Sequence, residues 1–377
     1  MIIAVLKETA DYERRVALTP SAAQKLGADG IKVKMEKGAG KAAGFADEEY
    51  ENAGVEIAAD AAAALKGASL LFKIQAPSTE ETKRLPDRLT VIADFRTFVP
   101  DWELIKNRRF SLFALERIPR ISRAQDMDIL SSQDNLAGYK AAIEAINMLN
   151  RPVPMMTTAA GTIRPAKALV LGAGIAGLQA IGTLKRLGAV VTAYDVRPAS
   201  QGEVESLGAK FLDLGLDFSK GQGEGGYARA LSAEEQAQQQ AAVDEKAAGF
   251  DIIITTAKVP GRKPPVLLTA AGVKGLKRGA VIVDCAASDL GGNVEGSAVG
   301  EQVTEGGVKL IGAPYLASGV ATTASNLLSR NVADILVHFV RDGKLGQDLT
   351  EELDDALVVA GRAAAPAAAA DAEKSEK

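Results

Sequence analysis

The sequence predicts a two-domain α/β protein built on open, largely parallel sheets, and three observations carry that expectation. Apolar runs of strand length alternate with helix-spaced segments along most of the chain. The stretch Ala168–Ala180, ALVLGAGIAGLQA, reads as a strand, a tight glycine turn and a helix. At 377 residues the chain exceeds the usual size of one core, so two Rossmann-like domains with a nucleotide cleft between them are expected.

Composition narrows the function classes. Hydrophobic residues make up 47% of the chain, enough for well-built cores. Lysine and arginine total 44 against 48 acids, a net charge of −4 that carries no nucleic-acid footprint. The single cysteine, Cys285, excludes an intrachain disulfide and a cysteine-rich metal site, and reads as a small buried hydrophobe. No metal is expected. No apolar run approaches a membrane span, and MIIAVLKE leads into a strand rather than a signal or transit peptide. Any role at a membrane is therefore expected to come through a partner.

Taken in order, Ile2–Leu6 is the first expected strand. Lys7–Thr9 and Glu13–Val16 make a charged loop, and Thr19-Pro20 opens a helix through Leu26. Ile31–Met35, Ala53–Ile57, Leu70–Ile74, Leu89–Asp94 and Phe110–Ala114 continue as strands, with a helix at Asp60–Leu65 and a further element at Glu103–Lys106. Ligands of such sheets bind at strand carboxyl ends, where Arg15, Lys73-Ile74-Gln75 and Arg96 fall; solvated loop charge is an equal reading of each. Arg120–Asp128 and Ile129–Gln133 gather arginine, glutamine and carboxylate groups ahead of a helix at Asn135–Leu149. A surface helix start has the same composition. The expected boundaries are residues 1–135, completed by a returning helix at 320–345, then a dinucleotide domain at 136–319 with its leading crossover helix. An extension with a disordered alanine-proline tail is expected at 346–377.

In the second domain, Gly172 allows the tight turn, Gly174 lets backbone approach a pyrophosphate, and Gly177 permits close packing of helix on sheet. The first amides of that helix supply partial positive charge for phosphates. Val190–Tyr194 is the next strand, ending at Asp195, about 20 residues past the turn, where an acid meets the adenosine ribose. A carboxylate there favours NAD(H) over NADP(H), while Arg197 is placed to pair with a 2′-phosphate and leaves the choice open. Val204–Leu212 reads as helix, turn and strand. Gly221, Gly223, Gly225 and Gly226 crowd ahead of Tyr227, as in a closing lid or a simple exposed insertion. Glu234–Ala247 is a helix, and Asp251–Thr256, Ala280–Asp284 and Val308–Ile311 are strands, the last closing the sheet. Thr256 and Ala257 stand where the nicotinamide half of a dinucleotide would lie. Ser325–Phe339 is a returning amphipathic helix. It holds the only histidine, His338, far in sequence from both polar loops, so neither a histidine acid nor a histidine metal cluster is available.

With the glycine motif, RISRAQDMDILSSQDNLAGY (Arg120–Tyr139) and GGYA (Gly225–Ala228) in place, the chain resembles a known family. It is similar to the NAD(H)-binding domain I of proton-translocating nicotinamide nucleotide transhydrogenase, in the form of the separate first alpha subunit of bacteria, over about residues 1–360. The resemblance implies hydride transfer between NADH on this chain and NADP+ on a separate NADP-binding beta subunit, coupled to proton passage through a membrane-spanning subunit. It implies a homodimer, cytoplasmic and peripheral on the inner membrane through its partners. Arg120, Gln125, Asp128 and Ser131 would form the loop meeting the nicotinamide and the partner's nucleotide, with Gln125 reaching toward the NADP ribose. Gly172, Gly174, Ile175, Ala176, Gly177, Asp195, Val196, Arg197, Thr256 and Ala257 would hold NAD(H), and Tyr227 would tip the lid over it. One departure is visible: the loop Asp284–Asn293, DCAASDLGGN, is a residue longer than the family's usual loop before GGN.

The chemistry agrees. Hydride passes directly between two nicotinamides held roughly 3–3.5 Å apart with water excluded, and no proton donor is needed. The main rival is alanine dehydrogenase, which shares the fold and the KE...RRVALTP opening. Its substrate arginine and lysine would match Arg15 and Lys73, but its catalytic histidine would fall in Asp94–Phe98, which reads DFRTF. A non-catalytic NAD-binding regulatory subunit is the alternative from another class.

Overall fold

The computed structural model describes residues 1–95, 110–119, 121–216, 231–258, 263–304, 306–341, 344–345 and 352–360. They form two compact units, one built from Met1 to Ile129 and again from Ser325 onward, the other from Leu130 to Ala324.

In the first unit, β1 (Ile2–Val5), β2 (Lys32–Glu36), β3 (Glu56–Ala58), β4 (Leu70–Gln75), β5 (Thr90–Asp94) and β6 (Ser111–Ala114) pair in parallel, in the order β6-β5-β4-β1-β2-β3. The sequence LLFKIQ of β4 is buried along its whole length, as a parallel strand covered on both faces must be. Local chemistry starts the helices: Pro20 opens Pro20–Ala28, Asp60 caps Ala61–Leu65 by accepting from Ala63 N at 2.8 Å, and Ser78 and Glu81 form a capping box on Thr79–Arg84. The helix Asp47–Asn52 is not foreseen from sequence, because EEYEN is short and shows one apolar residue, the buried Tyr50. It displaces the strand expected at Ala53–Ile57 to Glu56–Ala58. The expected element at Glu103–Lys106 lies outside the described residues.

The second unit opens with an exposed antiparallel hairpin, β7 (Met156–Thr158) and β8 (Gly161–Ile163). Its main sheet contains β9 (Lys167–Leu171), β10 (Val190–Tyr194), β11 (Lys210–Phe211), β12 (Ile252–Thr255), β13 (Val281–Asp284), β14 (Gly300–Val303) and β15 (Lys309–Gly312), in the order β11-β10-β9-β12-β13-β15-β14. Pairing is parallel except for β14 on β15, so β14, and not the strand expected at Val308–Ile311, closes the sheet. The two faces alternate: Val170, Ile252, Ile254 and Val283 pack in one core with Ala141, Ala145, Ile181 and Leu184, while Leu169, Leu171, Ile253 and Ile282 pack in another with Val243 and Ala247. The strand order reverses between β9 and β12, which is where an open parallel sheet binds its ligand.

The crossover helix runs Ile129–Met148, starting at Ile129 rather than at the expected Asn135. Gln133, read from sequence as loop, is buried within it and donates to the carbonyl of Ala324 at 3.1 Å.

The returning helix spans Ala321–Phe339. In the first unit, its Ser325 Oγ accepts from Val16 N at 2.9 Å, its Ser329 Oγ accepts from Thr19 N at 3.0 Å, and Phe339 meets Phe113 edge-on at 4.7 Å. Beyond it come the antiparallel pair β16 (Val340–Arg341) and β17 (Lys344–Leu345), a helix at Glu352–Leu357, and β18 (Val358–Ala360), antiparallel on β6. Residues 352–360, expected as extension, thus belong to the first unit's sheet, with Leu353 and Leu357 in its core.

Candidate functional site

The glycine turn sits at the carboxyl end of β9, beside the reversal in strand order. Gly172 has φ of +102°, a left-handed backbone that favours glycine, and a side-chain carbon there would stand 2.6 Å from Thr256 Oγ1. A carbon on Gly177 would stand 1.9 Å from the carbonyl oxygen of Gly172, so the helix Ile175–Arg186 can lie this close only with glycine at that place. Gly174 caps that helix, with open space where a side chain would be and no side-chain cap. The first-turn amides of Ile175, Ala176 and Gly177 therefore face a gap that a pyrophosphate fits. Thr256 ties the turn to β12, its Oγ1 donating to Gly172 O at 3.1 Å and its N–H to Leu171 O at 2.9 Å.

Asp195, past the end of β10, is fully engaged. Its Oδ2 accepts from Ala173 N at 2.8 Å and from the Arg197 guanidinium at 3.0 Å; its Oδ1 accepts from Arg197 N at 2.8 Å and Arg197 Nε at 2.9 Å. These bonds take up the roughly four acceptor positions of a carboxylate. Arg197 also donates to Ala173 O at 3.2 Å, and its pairing with Asp195 holds its guanidinium above the ordinary arginine range. The residue that sequence left open as a 2′-phosphate partner is thus bound to the acid before it. Both residues brace the glycine turn.

Two polar residues hold the far side of the site. Asp284, ending β13 and fully buried, accepts from Thr255 Oγ1 at 3.0 Å, Ala286 N at 2.9 Å and Val294 N at 3.1 Å. Asn293, also fully buried, accepts from Ala257 N at 2.9 Å and donates to Ala257 O and Pro265 O, each at 2.8 Å. The longer loop between them is therefore fastened at both ends. Gly138, in the helix Ile129–Met148, is a further requirement: a carbon there would stand 2.0 Å from Ala176 O. Sequence reasoning passed over it, although a glycine inside a long helix marks a close approach.

The structure gathers Gly172, Gly174, Ile175, Ala176, Gly177, Asp195, Val196, Arg197, Thr256 and Ala257 along one edge of the second unit's sheet. Ser131 lies in the first turn of the helix Ile129–Met148, not in a loop as expected. Gln125 is on the 3-10 turn Ser122–Met127 of the first unit, and Asp128 caps that turn. Arg120, Arg96 and Tyr227 fall outside the described residues. Among the described residues no group of histidine, cysteine and carboxylates could hold a metal ion, and no helix is long and apolar enough to cross a membrane.

The first unit holds a separate charged cluster at the carboxyl ends of β1 and β4. Arg15 and Lys73 are buried rather than solvated: Arg15 pairs with Glu13 at 2.6 Å, and Lys73 Nζ lies 2.7 Å from Glu81 and 3.8 Å from Glu8. Gln75 Nε2 donates to Glu13 at 3.2 Å, and Glu8 accepts from Ile74 N at 2.7 Å. Burial pushes the Glu8 carboxyl up to about 7, against the opposing pull of Lys73.

Two family models divide the chain: "Alanine dehydrogenase/PNT, N-terminal domain" matches residues 4–137 and "Alanine dehydrogenase/PNT, C-terminal domain" residues 141–364. The chain is 42% identical to the first portion of the NAD(P) transhydrogenase alpha subunit of Rickettsia prowazekii, a separate polypeptide, over 92% of both chains. It is 42% identical to the protein of the same name from Rhodospirillum rubrum, over 95% of this chain and 94% of that one. A crystal structure of transhydrogenase from Sinorhizobium meliloti superposes with a TM-score of 0.83 at 40% identity, covering 96% of this chain and 98% of that one. With the glycine turn, the buttressed acid and both domains in place, the chain belongs to the alanine dehydrogenase/PNT family, within its NAD(P) transhydrogenase alpha-subunit branch.

Proposed function

We propose that this chain is the NAD(H)-holding subunit of a proton-translocating transhydrogenase, passing hydride directly between NADH in its second unit and NADP+ on a separate NADP-binding subunit. The observation that carries this reading is the glycine cradle of Gly172–Gly177 in a chain that matches a transhydrogenase alpha polypeptide over 92% of its length. NADH supplies the hydride when bound. The chain's own residues bind and orient. The first-turn amides hold the pyrophosphate, Asp195 and Arg197 brace the turn and meet the adenosine ribose, and Thr256, Ala257 and Asn293 fix the backbone beside the nicotinamide. The loop of Arg120, Gln125, Asp128 and Ser131 meets the partner's nucleotide, Gln125 by its amide, and Tyr227 closes over NAD(H). The working form is a homodimer, cytoplasmic and joined to the inner membrane through a membrane-spanning partner that couples transfer to proton passage.

Amino-acid oxidation fits less well. It needs a general base, and the only histidine, His338, lies near the end of the returning helix.

Rapid mixing of this subunit with NADH and an NADP-loaded partner subunit tests the reading. Hydride transfer on mixing, with little activity from either protein alone, is expected. Two well-folded, nucleotide-loaded proteins giving no transfer would overturn it, and alanine-dependent NADH formation by this chain alone would favour the rival. Gln125→Asn should slow transfer while NADH affinity stays within a few-fold.

A further inference from the structure

Lys258 is the third residue beyond β12, and the two residues before it are pinned. Thr256 is bonded to Leu171 and Gly172, and Ala257 is clamped at both its N–H and its carbonyl by Asn293. The Lys258 Nζ lies 3.8 Å from Asp134 Oδ1, with the two side chains 43% and 36% exposed. Asp134 is placed by its helix, which Gly138 seats against Ala176 and which Asn135 ties to Gln179 at 3.2 Å. An ion pair this exposed contributes little to stability, so the fold gives no reason for it to be here.

Its position gives one. The sheet order β10-β9-β12-β13 puts the pyrophosphate cradle at β9 and Asp195 at β10, so the adenosine half points toward β10 and the nicotinamide half lies over the ends of β12 and β13. Lys258 and Asp134 both act electrostatically on Cys285, the residue just past β13, Lys258 favouring its thiolate and Asp134 opposing it. The pair therefore stands at the nicotinamide end of the site.

We infer that Lys258, partly neutralised by Asp134, makes this site prefer reduced over oxidised dinucleotide. The nicotinamide ring of NAD+ carries a positive charge and that of NADH carries none, so a nearby ammonium penalises only the oxidised form. A unit charge several ångströms away at a partly solvated site is worth roughly a 3- to 10-fold change in relative affinity. Asp134 opposes the penalty, so the two residues set the preference in opposite directions. This inference rests on the reading that the site holds NAD(H).

The test uses the full chain, titrated with NADH by fluorescence and with NAD+ by competition, as wild type, Lys258→Met, Lys258→Arg and Asp134→Asn. The ratio Kd(NAD+)/Kd(NADH) should fall about 3- to 10-fold in Lys258→Met, stay near wild type in Lys258→Arg, and rise in Asp134→Asn. An unchanged ratio in Lys258→Met, including equal weakening of both nucleotides as a phosphate contact would give, overturns the inference while leaving the functional reading intact. Lys258→Met and Asp134→Asn shifting the ratio the same way also overturns it. A wild-type chain that binds neither nucleotide removes the functional reading and the inference together.

Discussion

A side-chain carbon on Gly138 would stand 2.0 Å from the carbonyl oxygen of Ala176, so the crossover helix touches the first turn of the nucleotide-binding helix backbone to backbone. The partner atom is main chain and cannot swing aside. Gly138→Ala should therefore cost about 1–3 kcal/mol of stability despite alanine's better helix propensity, and it should weaken NADH binding by displacing Ala176. Urea unfolding and an NADH titration on the same protein measure both effects. A stabilised variant with wild-type affinity would show that the two helices can separate freely.

Asp195 and Arg197 make the next prediction. Neutralising the acid in Asp195→Asn loosens the arginine and removes an acceptor from Ala173 N, so NADH affinity should fall about 10-fold. The released guanidinium should at the same time improve NADPH binding. Comparing the two dissociation constants checks it, and a loss of NADH binding with no gain for NADPH would mean that Arg197 is held by other means.

The Asn293 amide makes three hydrogen bonds from a fully buried position. Asn293→Ala should cost about 2–3 kcal/mol, because the backbone of Ala257 is left with buried unsatisfied groups. The midpoint of urea unfolding reports this. A shift within about 0.5 kcal/mol of wild type would show that water replaces the amide.

Glu8 sets a pH dependence. Its carboxyl is raised by burial from its ordinary value of 4.5 to about 7, so the folded chain holds a proton that the unfolded chain has released between those values. Its contribution is fully present below pH 4.5 and is lost as pH rises through 7, with a slope of up to about 1.4 kcal/mol per pH unit. Glu81 and Asp251 run the other way: despite burial, Lys73 holds the first below the ordinary carboxylate range, and the Lys167 amide and Lys277 hold the second there. Their contributions are lost as pH falls below the usual carboxylate values. Unfolding midpoints at about pH 5 and 8 should therefore converge in Glu8→Gln, and an unchanged difference would assign the slope elsewhere.

What could be read in advance follows from the range of the forces involved. The parallel strands were legible because each carries its own apolar run, as in Leu169–Leu171 and Ile252–Ile254. Helix starts with a side-chain signal, Asp60 and Ser232, were equally plain. The start at Ile129 was not, because Ser131, Ser132, Gln133 and Asp134 look solvated and only the distant carbonyl of Ala324 explains why Gln133 is buried. Arg15 and Lys73 read as surface charge for the same reason: Glu8, Glu13 and Glu81 neutralise them from three segments that only the fold brings together. At the site, the glycines were legible as permissive backbone, but the atoms that require them, on Thr256 for Gly172 and on Ala176 for Gly138, belong to other elements.

The short strand Val358–Ala360 on β6 carries a consequence for biosynthesis. The second unit is one continuous segment and can fold as soon as it leaves the ribosome. The first unit is split, and the outer edge of β6 waits for residues made more than two hundred positions later. Until they emerge, the nascent chain carries an open parallel sheet whose unpaired rim is a template for other strands, so holdase protection is needed most at the beginning of this protein, not at its end.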